Sequence, residues 1–341
     1  MNPERLKHIF DRFRLGEPLQ LELARGGKIH ETFLARTSRG WFVIQELKPP
    51  FNHLTALDAY AVTAHLIGAG FPAPEIFLTD RREPFYSDAS GVYRVMRRMP
   101  GHVRETLTSP SMAFEAGIMT GRLHSVLKDI DYVPQFHLEG FHDPAFLVQK
   151  LLDTARKDPP KATPVAGFIE RFRQEVPKYL PSKELPKRPI HGDLKVSNFL
   201  WDQEGRPCAL LDFDTFMLGA YPVEMADAFR SWCGKKDGPE GRRFDQSLFD
   251  AAWRGYRETA PSWTREETAA LLHALPLIFL ELGVRYLIDY FEETFFSWDP
   301  SRYSSRSEHN LHRMTRQWAL FDEILSKRTV LEEVLNLRRA L

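Results

Sequence analysis

The chain has 341 residues, of which 46 are Lys or Arg and 46 are Asp or Glu, so its formal net charge at pH 7 is zero. This balance argues against a nucleic-acid-binding protein and against a polybasic membrane-surface protein, because both carry an excess of basic residues. A length above about 250–300 residues predicts two cooperating lobes, and a content of 43% hydrophobic and 27% charged residues is typical of a folded globular chain.

Cysteine content and the distribution of charge predict the cellular compartment of the protein. Cys208 and Cys233 are too few for a disulfide framework, so a reducing compartment fits the chain. Charged residues interrupt residues 1–15, so we expect no secretory signal. The most apolar stretch, residues 269–288, contains Glu281 and Arg285, so we predict a buried helix rather than a membrane span. We therefore expect a cytoplasmic protein that has no membrane partner.

The first hundred residues predict a small β-rich lobe with one long helix. Strands are predicted over five apolar or alternating segments, at 19–23, 31–36, 41–47, 75–78 and 92–96. Asn52 is placed to cap a helix that ends near residue 70. Strands with one long helix indicate a sheet covered on one face, and Pro100-Gly101 marks the end of this lobe.

Helical patterns dominate the rest of the chain. Apolar residues at helical spacing predict helices over 112–127, 146–155 and 165–176, and again from about residue 225 to the end. Between them, residues 188–218 are predicted as turn, strand, turn and strand. No repeat of solenoid length is present.

One local motif specifies a chemistry. The segment His191–Asn198 reads His-Gly-Asp-Leu-Lys-Val-Ser-Asn. Phosphoryl transfer needs an Asp that accepts the acceptor's hydroxyl proton, together with an Asn and a second Asp that hold Mg²⁺. Protein kinases place this Asp and Asn five residues apart, as Asp193 and Asn198 are here. Lys195 adds a positive charge, and Asp212 follows an apolar strand as the second metal-holding Asp should. We predict kinase-type chemistry.

The His-Gly-Asp loop followed by Asn, with Phe213-Asp214 after the second Asp, resembles the aminoglycoside phosphotransferase and choline kinase family of small-molecule kinases. This resemblance implies an α+β class and a bilobal protein-kinase-like fold, with a small β-rich N-lobe and a larger, mostly helical C-lobe. We place the nucleotide-binding lobe at residues 1–98 and the catalytic and acceptor-binding lobe at residues 99–341.

A narrower resemblance, to the N-acetylhexosamine 1-kinase branch, is spread over most of the chain. It is carried by short segments at 27–33, 141–143, 211–217, 227–230, 283–290 and 309–317. The order and spread of these segments imply ATP and Mg²⁺ as cofactors and, as acceptor, an N-acetylhexosamine or another sugar phosphorylated at its anomeric hydroxyl.

The resemblance also implies roles for individual residues. Asp193 would be the general base, Lys195 would contact the γ-phosphate, and Asn198 and Asp212 would bind Mg²⁺. The residues implied to bind nucleotide are Gly26, Gly27, Gln45, Met96, Arg97 and Arg98. The residues implied to bind the acceptor are Ile29, Asp214, Thr215 and Arg285, and Asp227 would brace the catalytic loop.

Several alternatives stay open at this point. The strand Lys that pairs with phosphates in protein kinases is missing from residues 41–47, and either Lys48 or Lys28 could replace it. Arg285 could form a salt bridge within its own helix instead of binding the acceptor. His137 and His142 are predicted to be structural rather than zinc ligands. The acceptor could instead be an aminoglycoside, choline or homoserine, and the chain could be a nucleotide-binding scaffold. Its oligomeric state is open.

Overall fold

A computed structural model describes residues 3–24, 29–237 and 241–337. The N-terminal part contains one five-stranded antiparallel sheet with strand order β1-β2-β3-β5-β4. Its strands are β1 (Pro18–Leu23), β2 (Glu31–Thr37), β3 (Gly40–Leu47), β4 (Tyr86–Asp88) and β5 (Gly91–Arg97). Helix α1 (Pro3–Arg12) precedes the sheet, and helix α2 (His53–Gly68) connects β3 to β4.

Side-chain alternation determines which face of the sheet is covered. Apolar residues of β2, β3 and β5 point to one face and form a small core with α1. This core contains Ile9, Phe10, Phe13, Phe33, Ala35, Phe42, Ile44, Tyr93 and Val95. Helix α2 begins at Asn52, whose side chain accepts the backbone N–H of Leu54 in a capping box with Thr55. This confirms the predicted cap.

The C-terminal part is mostly helical. Its helices are α3 (Pro110–Leu127), α4 (Pro144–Lys157), α5 (Pro159–Ala162), α6 (Ala166–Glu175), α7 (Tyr221–Trp232), α8 (Gln246–Thr259), α9 (Arg265–Glu292), α10 (Arg306–Ser326) and α11 (Arg328–Val334). Its short strands are β6 (His102–Val103), β7 (Arg188–Ile190), β8 (Phe199–Trp201), β9 (Pro207–Leu210), β10 (Met217–Gly219), β11 (Gly234–Asp237) and β12 (Gly241–Phe244). The small β-rich lobe and larger helical lobe confirm the predicted fold class.

Helix α9 accounts for the most apolar stretch of the sequence. Within the described residues it is the one helix that is long and apolar enough to cross a membrane, yet most of it is buried inside the protein. The helix continues through Pro276 and lies in the main core. The prediction of a buried helix is therefore confirmed.

Some predicted elements differ from the structure. The strand predicted over 75–78 is reduced to a single bridge between Ile76 and Met96. Helix α1, strand β4 and the β11–β12 hairpin, which interrupts a stretch expected to be helical, were not predicted. The strands β4, β11 and β12 have only three or four residues, so alternating periodicity does not extend far enough to identify them. Helix α1 has ten residues with apolar residues at helical spacing, so its pattern was present in the sequence and was missed.

Helices α3 and α8 pack closely enough that glycine is required on both. A Cβ atom on Gly117 would lie 2.2 Å from the carbonyl oxygen of Ala252, and one on Gly255 would lie 2.0 Å from that of Phe114. Backbone atoms cannot move aside as a flexible side chain can. These two glycines therefore set the distance between α3 and α8.

We predict that Gly117→Ala lowers the free energy of unfolding by about 1–3 kcal/mol, the usual effect of overpacking. The matched control is Gly167→Ala on α6, where no atom lies within 4 Å of the added methyl group. That variant should change stability by less than about 1 kcal/mol and in the stabilising direction. Urea denaturation of both variants measures the difference, and equal effects would contradict the close packing of α3 and α8.

Candidate active site

Two short strand pairs bring the motif residues together. Strand β7 leads into the His191–Asn198 loop and pairs with β10, while β8 leaves this loop and pairs with β9. The backbone N–H of Leu211 donates to the carbonyl oxygen of Asn198 at 2.8 Å. Asp212 is therefore held beside Asn198, although fourteen positions separate the two residues in the sequence.

Lys195 lies between two carboxylates of this site. Its Nζ donates to Asp193 and lies 3.7 Å from Oδ2 of Asp212. Burial raises the pKa of Asp193, but the charge and hydrogen bond of Lys195 outweigh burial, so this pKa lies below its ordinary value. Burial lowers the pKa of Lys195, and the charges of Asp193 and Asp212 outweigh that effect, so its pKa is raised. Both groups stay ionised at neutral pH.

The side-chain amide of Asn198 is oriented by the same Asp. Its Nδ2 donates to the carbonyl oxygen of Asp193 at 2.8 Å and lies 3.4 Å from that residue's Oδ2. Since the amide nitrogen is used in this way, the amide oxygen is the atom left for another partner. A hard divalent cation takes oxygen ligands of this kind.

Asp212 has an unusual backbone conformation. Its φ of 64° and ψ of 64° lie in the left-handed region, which is uncommon for residues other than glycine. The Asp212 side chain is 42% exposed. Partial desolvation by the surrounding protein and the negative charges of Asp214 and Asp193 raise the pKa of Asp212, against the opposing effect of the Lys195 charge. A positive ion bound here would relieve the repulsion among the three carboxylates.

The backbone at Gly192, next to Asp193, is held from two sides. The backbone N–H of Gly192 donates to Oε1 of Glu224 at 2.8 Å, and its carbonyl oxygen accepts from Nε2 of His142 at 2.8 Å. Glu224 is paired with His124 at 2.5 Å, and His142 lies 3.5 Å from Glu281. All four of these side chains are buried. Two buried His–Glu pairs therefore fix the two successive peptide units that meet at Gly192.

Gly192 itself cannot be replaced without a clash. Its φ is +86°, and a Cβ atom would lie 2.5 Å from the carbonyl oxygen of Thr215. The Thr215 hydroxyl donates to the carbonyl oxygen of His191 at 2.9 Å. The turn that follows Asp212 is thus packed directly against the catalytic loop.

His142 is a cation in this arrangement. A carbonyl oxygen only accepts, so Nε2 carries the proton that is donated to Gly192. Burial lowers the pKa of His142, but the charge and hydrogen bond of Glu281 outweigh burial and raise it to about 9. The two ring nitrogens of His142 therefore face Gly192 and Glu281, and His137 makes neither contact. In the part of the chain that the structure describes, no group of three or more His, Cys, Asp and Glu is arranged to hold a metal ion.

Asp214 faces the N-terminal sheet. Its two oxygens accept a bidentate interaction from Arg94 on β5, in which NH2 lies 2.8 Å from Oδ2, and Oδ2 also accepts from His30 at 2.7 Å. Arg94 is 2% exposed and also donates to Oε1 of Gln45. Arg94 and His30 were not among the predicted site residues, because only the folded chain brings them to Asp214. A buried arginine at an alternating strand position is the signal that would have identified Arg94.

The residues predicted to bind nucleotide lie in different places. Gly26, Gly27 and Lys28 fall outside the described residues. Gln45 lies on β3 beside Arg94 and donates to Thr32 at 3.2 Å. Met96 packs against the main core. Lys48 is bound to Glu46 and lies 3.9 Å from Glu31, so its charge is already paired.

Arg97 and Arg98, which were predicted to bind nucleotide, place their side chains against the N-lobe. Arg97 donates to Glu75 at 2.8 Å and covers the ring of Phe77, and the Arg98 guanidinium lies 4.6 Å from the ring centre of Trp41. These two side chains are therefore occupied within their own lobe. A nucleotide at this strand would meet backbone groups, which give no signal in a sequence.

Arg285 is enclosed by aromatic rings. Its guanidinium carbon lies 5.7 Å from the ring centre of Phe141, 5.6 Å from that of Phe295 and 5.9 Å from that of Phe296. The two carboxylates that lie four residues from Arg285 on the same helix are bound elsewhere, because Glu281 is paired with His142 and Asp289 accepts three backbone N–H groups at 294–296.

No hydrogen bond or ion pair occupies the Arg285 guanidinium within the described residues. The intrahelical salt bridge is therefore absent from this part of the chain. Of the remaining predicted residues, Ile29 is 44% exposed, and Asp227 accepts a 2.8 Å hydrogen bond from Arg230.

Comparison with solved structures finds the same fold in several proteins. An amicoumacin kinase in complex with AMP-PNP, Ca²⁺ and Ami is 14% identical, with a TM-score of 0.66 over 95% of this chain and 94% of that chain. An aminoglycoside phosphotransferase from Alicyclobacillus acidocaldarius is 14% identical, with a TM-score of 0.62 over 99% and 97%. Plasmodium vivax ethanolamine kinase is 13% identical, with a TM-score of 0.61 over 89% and 84%. At these identities the likeness shows the fold alone.

The sequence itself provides the assignment. No curated protein matches the chain. A family model described as "Phosphotransferase enzyme family" matches residues 20–260, which include the catalytic loop, Asp212 and the N-terminal sheet. This match confirms the predicted phosphotransferase class and names no acceptor. The chain belongs to the phosphotransferase enzyme family.

Proposed function

We propose that this phosphotransferase is an ATP- and Mg²⁺-dependent kinase of a small hydroxyl compound, and that the compound is an N-acetylhexosamine or a related sugar phosphorylated at its anomeric hydroxyl. The observation that carries the kinase part is the cluster of Asp193, Lys195, Asn198 and Asp212, in which ionised groups surround one point of the cleft. A scaffold without activity has no need of this complete set.

Asp193 and Lys195 have complementary tasks in this proposal. The acceptor hydroxyl oxygen forms a bond to the γ-phosphorus of ATP, its proton passes to the Asp193 carboxylate, and the bond to the β-phosphate oxygen breaks to release ADP. The lowered pKa of Asp193 keeps it unprotonated and able to accept that proton. Lys195 lies beside it and offsets the negative charge of the transferring phosphoryl group.

Asn198 and Asp212 would hold the magnesium ion. The amide oxygen of Asn198 and the carboxylate of Asp212 are the hard oxygen donors that Mg²⁺ prefers, and phosphate oxygens and water would complete its shell. Bound there, Mg²⁺ neutralises charge on the phosphates. The negative charges of Asp193 and Asp214 near Asp212 support this fit, because a bound cation would offset the repulsion among the three carboxylates.

Charge around the cleft supports an uncharged acceptor. Four carboxylates near the catalytic loop already have partners. They are Asp214, Asp227, Glu281 and Asp289. Aminoglycosides, choline and ethanolamine carry ammonium groups, which bind best to a free carboxylate. The Arg285 guanidinium, by contrast, can donate to sugar hydroxyls or to an N-acyl carbonyl oxygen. We therefore favour a neutral sugar over the cationic acceptors.

We predict that Asp193→Asn lowers kcat by about 10²–10⁴-fold, because the general base is lost, while ATP affinity stays within about twofold. Steady-state phosphorylation assays and calorimetry measure the two effects. Asp250→Asn, which changes an exposed residue paired with Arg254 on α8, is the matched control and should retain wild-type turnover. Wild-type turnover in Asp193→Asn would show that the catalytic loop is assigned wrongly.

We predict that Asp212→Ala removes the dependence of nucleotide binding on Mg²⁺, because the cation loses its carboxylate ligand. Calorimetric titration of ATP with and without Mg²⁺ measures this dependence. Asp322→Ala, at an exposed residue paired with Arg171, should leave it unchanged. A Mg²⁺ dependence equal to that of the wild type would count against the metal role of Asp212.

We predict that Arg285→Lys raises the acceptor KM about tenfold, or about 1.4 kcal/mol, while the KM for ATP is unchanged. The test uses N-acetylhexosamines beside aminoglycosides, choline and homoserine, with ³¹P NMR to identify the product. Arg171→Lys is the control, because Arg171 also covers an aromatic ring, that of Trp318 at 4.0 Å, but its guanidinium is paired with Asp322, which is not among the predicted site residues.

Two outcomes separate the parts of this proposal. Equal loss for both substrates in Arg285→Lys would indicate a structural role for this arginine. Phosphorylation of a cationic acceptor but of no hexosamine would reject the sugar and leave the kinase assignment in place.

A further inference from the structure

In protein kinases an ion pair joins strand β3 to the following helix. In this protein, different residues stand at the corresponding places on β3 and α2. The protein-kinase pair joins a strand Lys to a helix Glu and must be in place for phosphoryl transfer. Strand β3 carries Gln45 at this point, and Asp58 is the only carboxylate on α2. Asp58 is buried and accepts hydrogen bonds from Tyr132 and from the backbone N–H groups of Gln135 and Phe136. It therefore holds a loop of the C-lobe.

A different buried ion pair joins the sheet to the site. Arg94 lies opposite Gln45 in the β3–β5 register and places both terminal nitrogens on the carboxylate of Asp214. Gln45 fixes the guanidinium from the other side, accepting from Nε at 2.9 Å and from NH2 at 2.7 Å. Arg94 is 2% exposed and Asp214 is 4% exposed. The contact thus connects two distant parts of the chain without reaching solvent.

His30 provides a second contact from the N-terminal sheet to the same carboxylate. Its Nδ1 accepts the backbone N–H of Lys48 at 3.2 Å, so the proton lies on Nε2. Nε2 donates to Oδ2 of Asp214 at 2.7 Å, and the ring packs edge-on against Phe51 at 5.1 Å. His30 directly precedes β2, so this contact ties the start of β2 to the turn after Asp212.

Stability alone does not account for such a pair. Taking two charges out of water costs several kcal/mol, and a well-packed apolar pair of similar volume is often as stable or more so. What the ion pair provides in addition is a defined geometry, because the fork of an arginine matches a carboxylate in one orientation. A geometric requirement is therefore the better explanation of this arrangement.

Asp214 is placed to transmit that geometry. It lies in the 3₁₀ turn Phe213–Thr215, directly after Asp212 with its left-handed backbone. Strained backbone persists only where the surrounding structure over-determines it. On one side the turn is held by the Thr215 hydroxyl on His191, and on the other by the contacts of Asp214.

We propose that Arg94, with His30 beside it, is a positioning residue that orients the metal-binding Asp212 through Asp214. In this enzyme the Arg94–Asp214 pair replaces the pair between β3 and the helix. The proposal rests on the proposed role of Asp212 in binding Mg²⁺. It gives Asp214 a role in addition to the predicted contact with the acceptor, because its oxygens accept hydrogen bonds from Arg94 and His30.

The test separates orientation from stability. Arg94→Gln leaves a buried carboxylate without its partner, so we expect a marked loss of stability as well as of activity. The double variant Arg94→Gln/Asp214→Asn removes both charges together and should unfold within a few degrees of the wild type. Its kcat should nevertheless fall by at least about 30-fold, and the Mg²⁺ concentration for half-maximal nucleotide binding should rise at least about tenfold.

A matched double variant provides the control. Arg188 and Glu267 form another partly buried arginine pair, in which Glu267 is 1% exposed. Arg188→Gln/Glu267→Gln should leave kcat and the Mg²⁺ midpoint unchanged. If Arg94→Gln/Asp214→Asn is stable and keeps both quantities within about twofold of the wild type, the positioning role is wrong.

The two proposals fail in different ways. Absence of phosphoryl transfer in the wild type would reject the proposed function. The Mg²⁺ midpoint for nucleotide binding, which needs no turnover, would still report whether Arg94 positions Asp212.

Discussion

The backbone at Gly192 is the constraint on which the rest of the site depends. The N–H and the carbonyl of Gly192 are each bound by a buried His–Glu pair, one formed by His124 and Glu224 and the other by His142 and Glu281. These groups come from α3, from α7, from α9 and from the loop before α4. The packing of four distant segments thus converges on the two peptide units that meet at Gly192, and a shift in any of these segments would move Asp193.

Buried charge is used in the same way on the other side of the cleft. Arg94 and His30 hold Asp214 just as His142 and Glu224 hold Gly192. The left-handed backbone of His142, with φ of 54°, and that of Asp212 occur at these two points. Non-glycine residues in this region cost energy, so their position at the site indicates that geometry, rather than local stability, determined them.

Zero net charge conceals a marked local distribution. Asp193, Asp212 and Asp214 concentrate negative charge where a cation would sit, and Lys195 lies among them. Arg285 provides positive charge at the proposed acceptor wall, enclosed by three aromatic rings. Such a distribution of charge suits phosphates that arrive with a metal ion.

The clustering of the predicted site residues followed from the sequence better than the contacts that support them. Asp193 and Asn198 were predicted from their spacing within one short loop, and Asp212 because it follows an apolar strand, and the structure brings the three close together. Asp214 was expected to contact the acceptor, since neighbours in sequence were the only guide to its surroundings. Its actual partners, Arg94 and His30, are 120 and 184 positions away. Pairings of this kind depend on tertiary packing, which periodicity and spacing do not encode.

Elements of the fold with long local patterns were also predicted better than elements that depend on distant contacts. Strands β1 to β3, the capped helix α2 and helix α3 carry long local patterns and were predicted close to their observed bounds. The β11–β12 hairpin and the single bridge at Ile76 depend on short segments whose pairing is set by neighbouring elements.

The most direct test of the account is a crystal structure of the chain with AMP-PNP, Mg²⁺ and an N-acetylhexosamine. The account predicts a metal ion bound by the side-chain oxygens of Asn198 and Asp212. It also predicts an acceptor hydroxyl within about 3 Å of the Asp193 carboxylate and in line with the γ-phosphate. A nucleotide bound with its phosphates away from Lys195, or a metal ion that touches neither Asn198 nor Asp212, would contradict it.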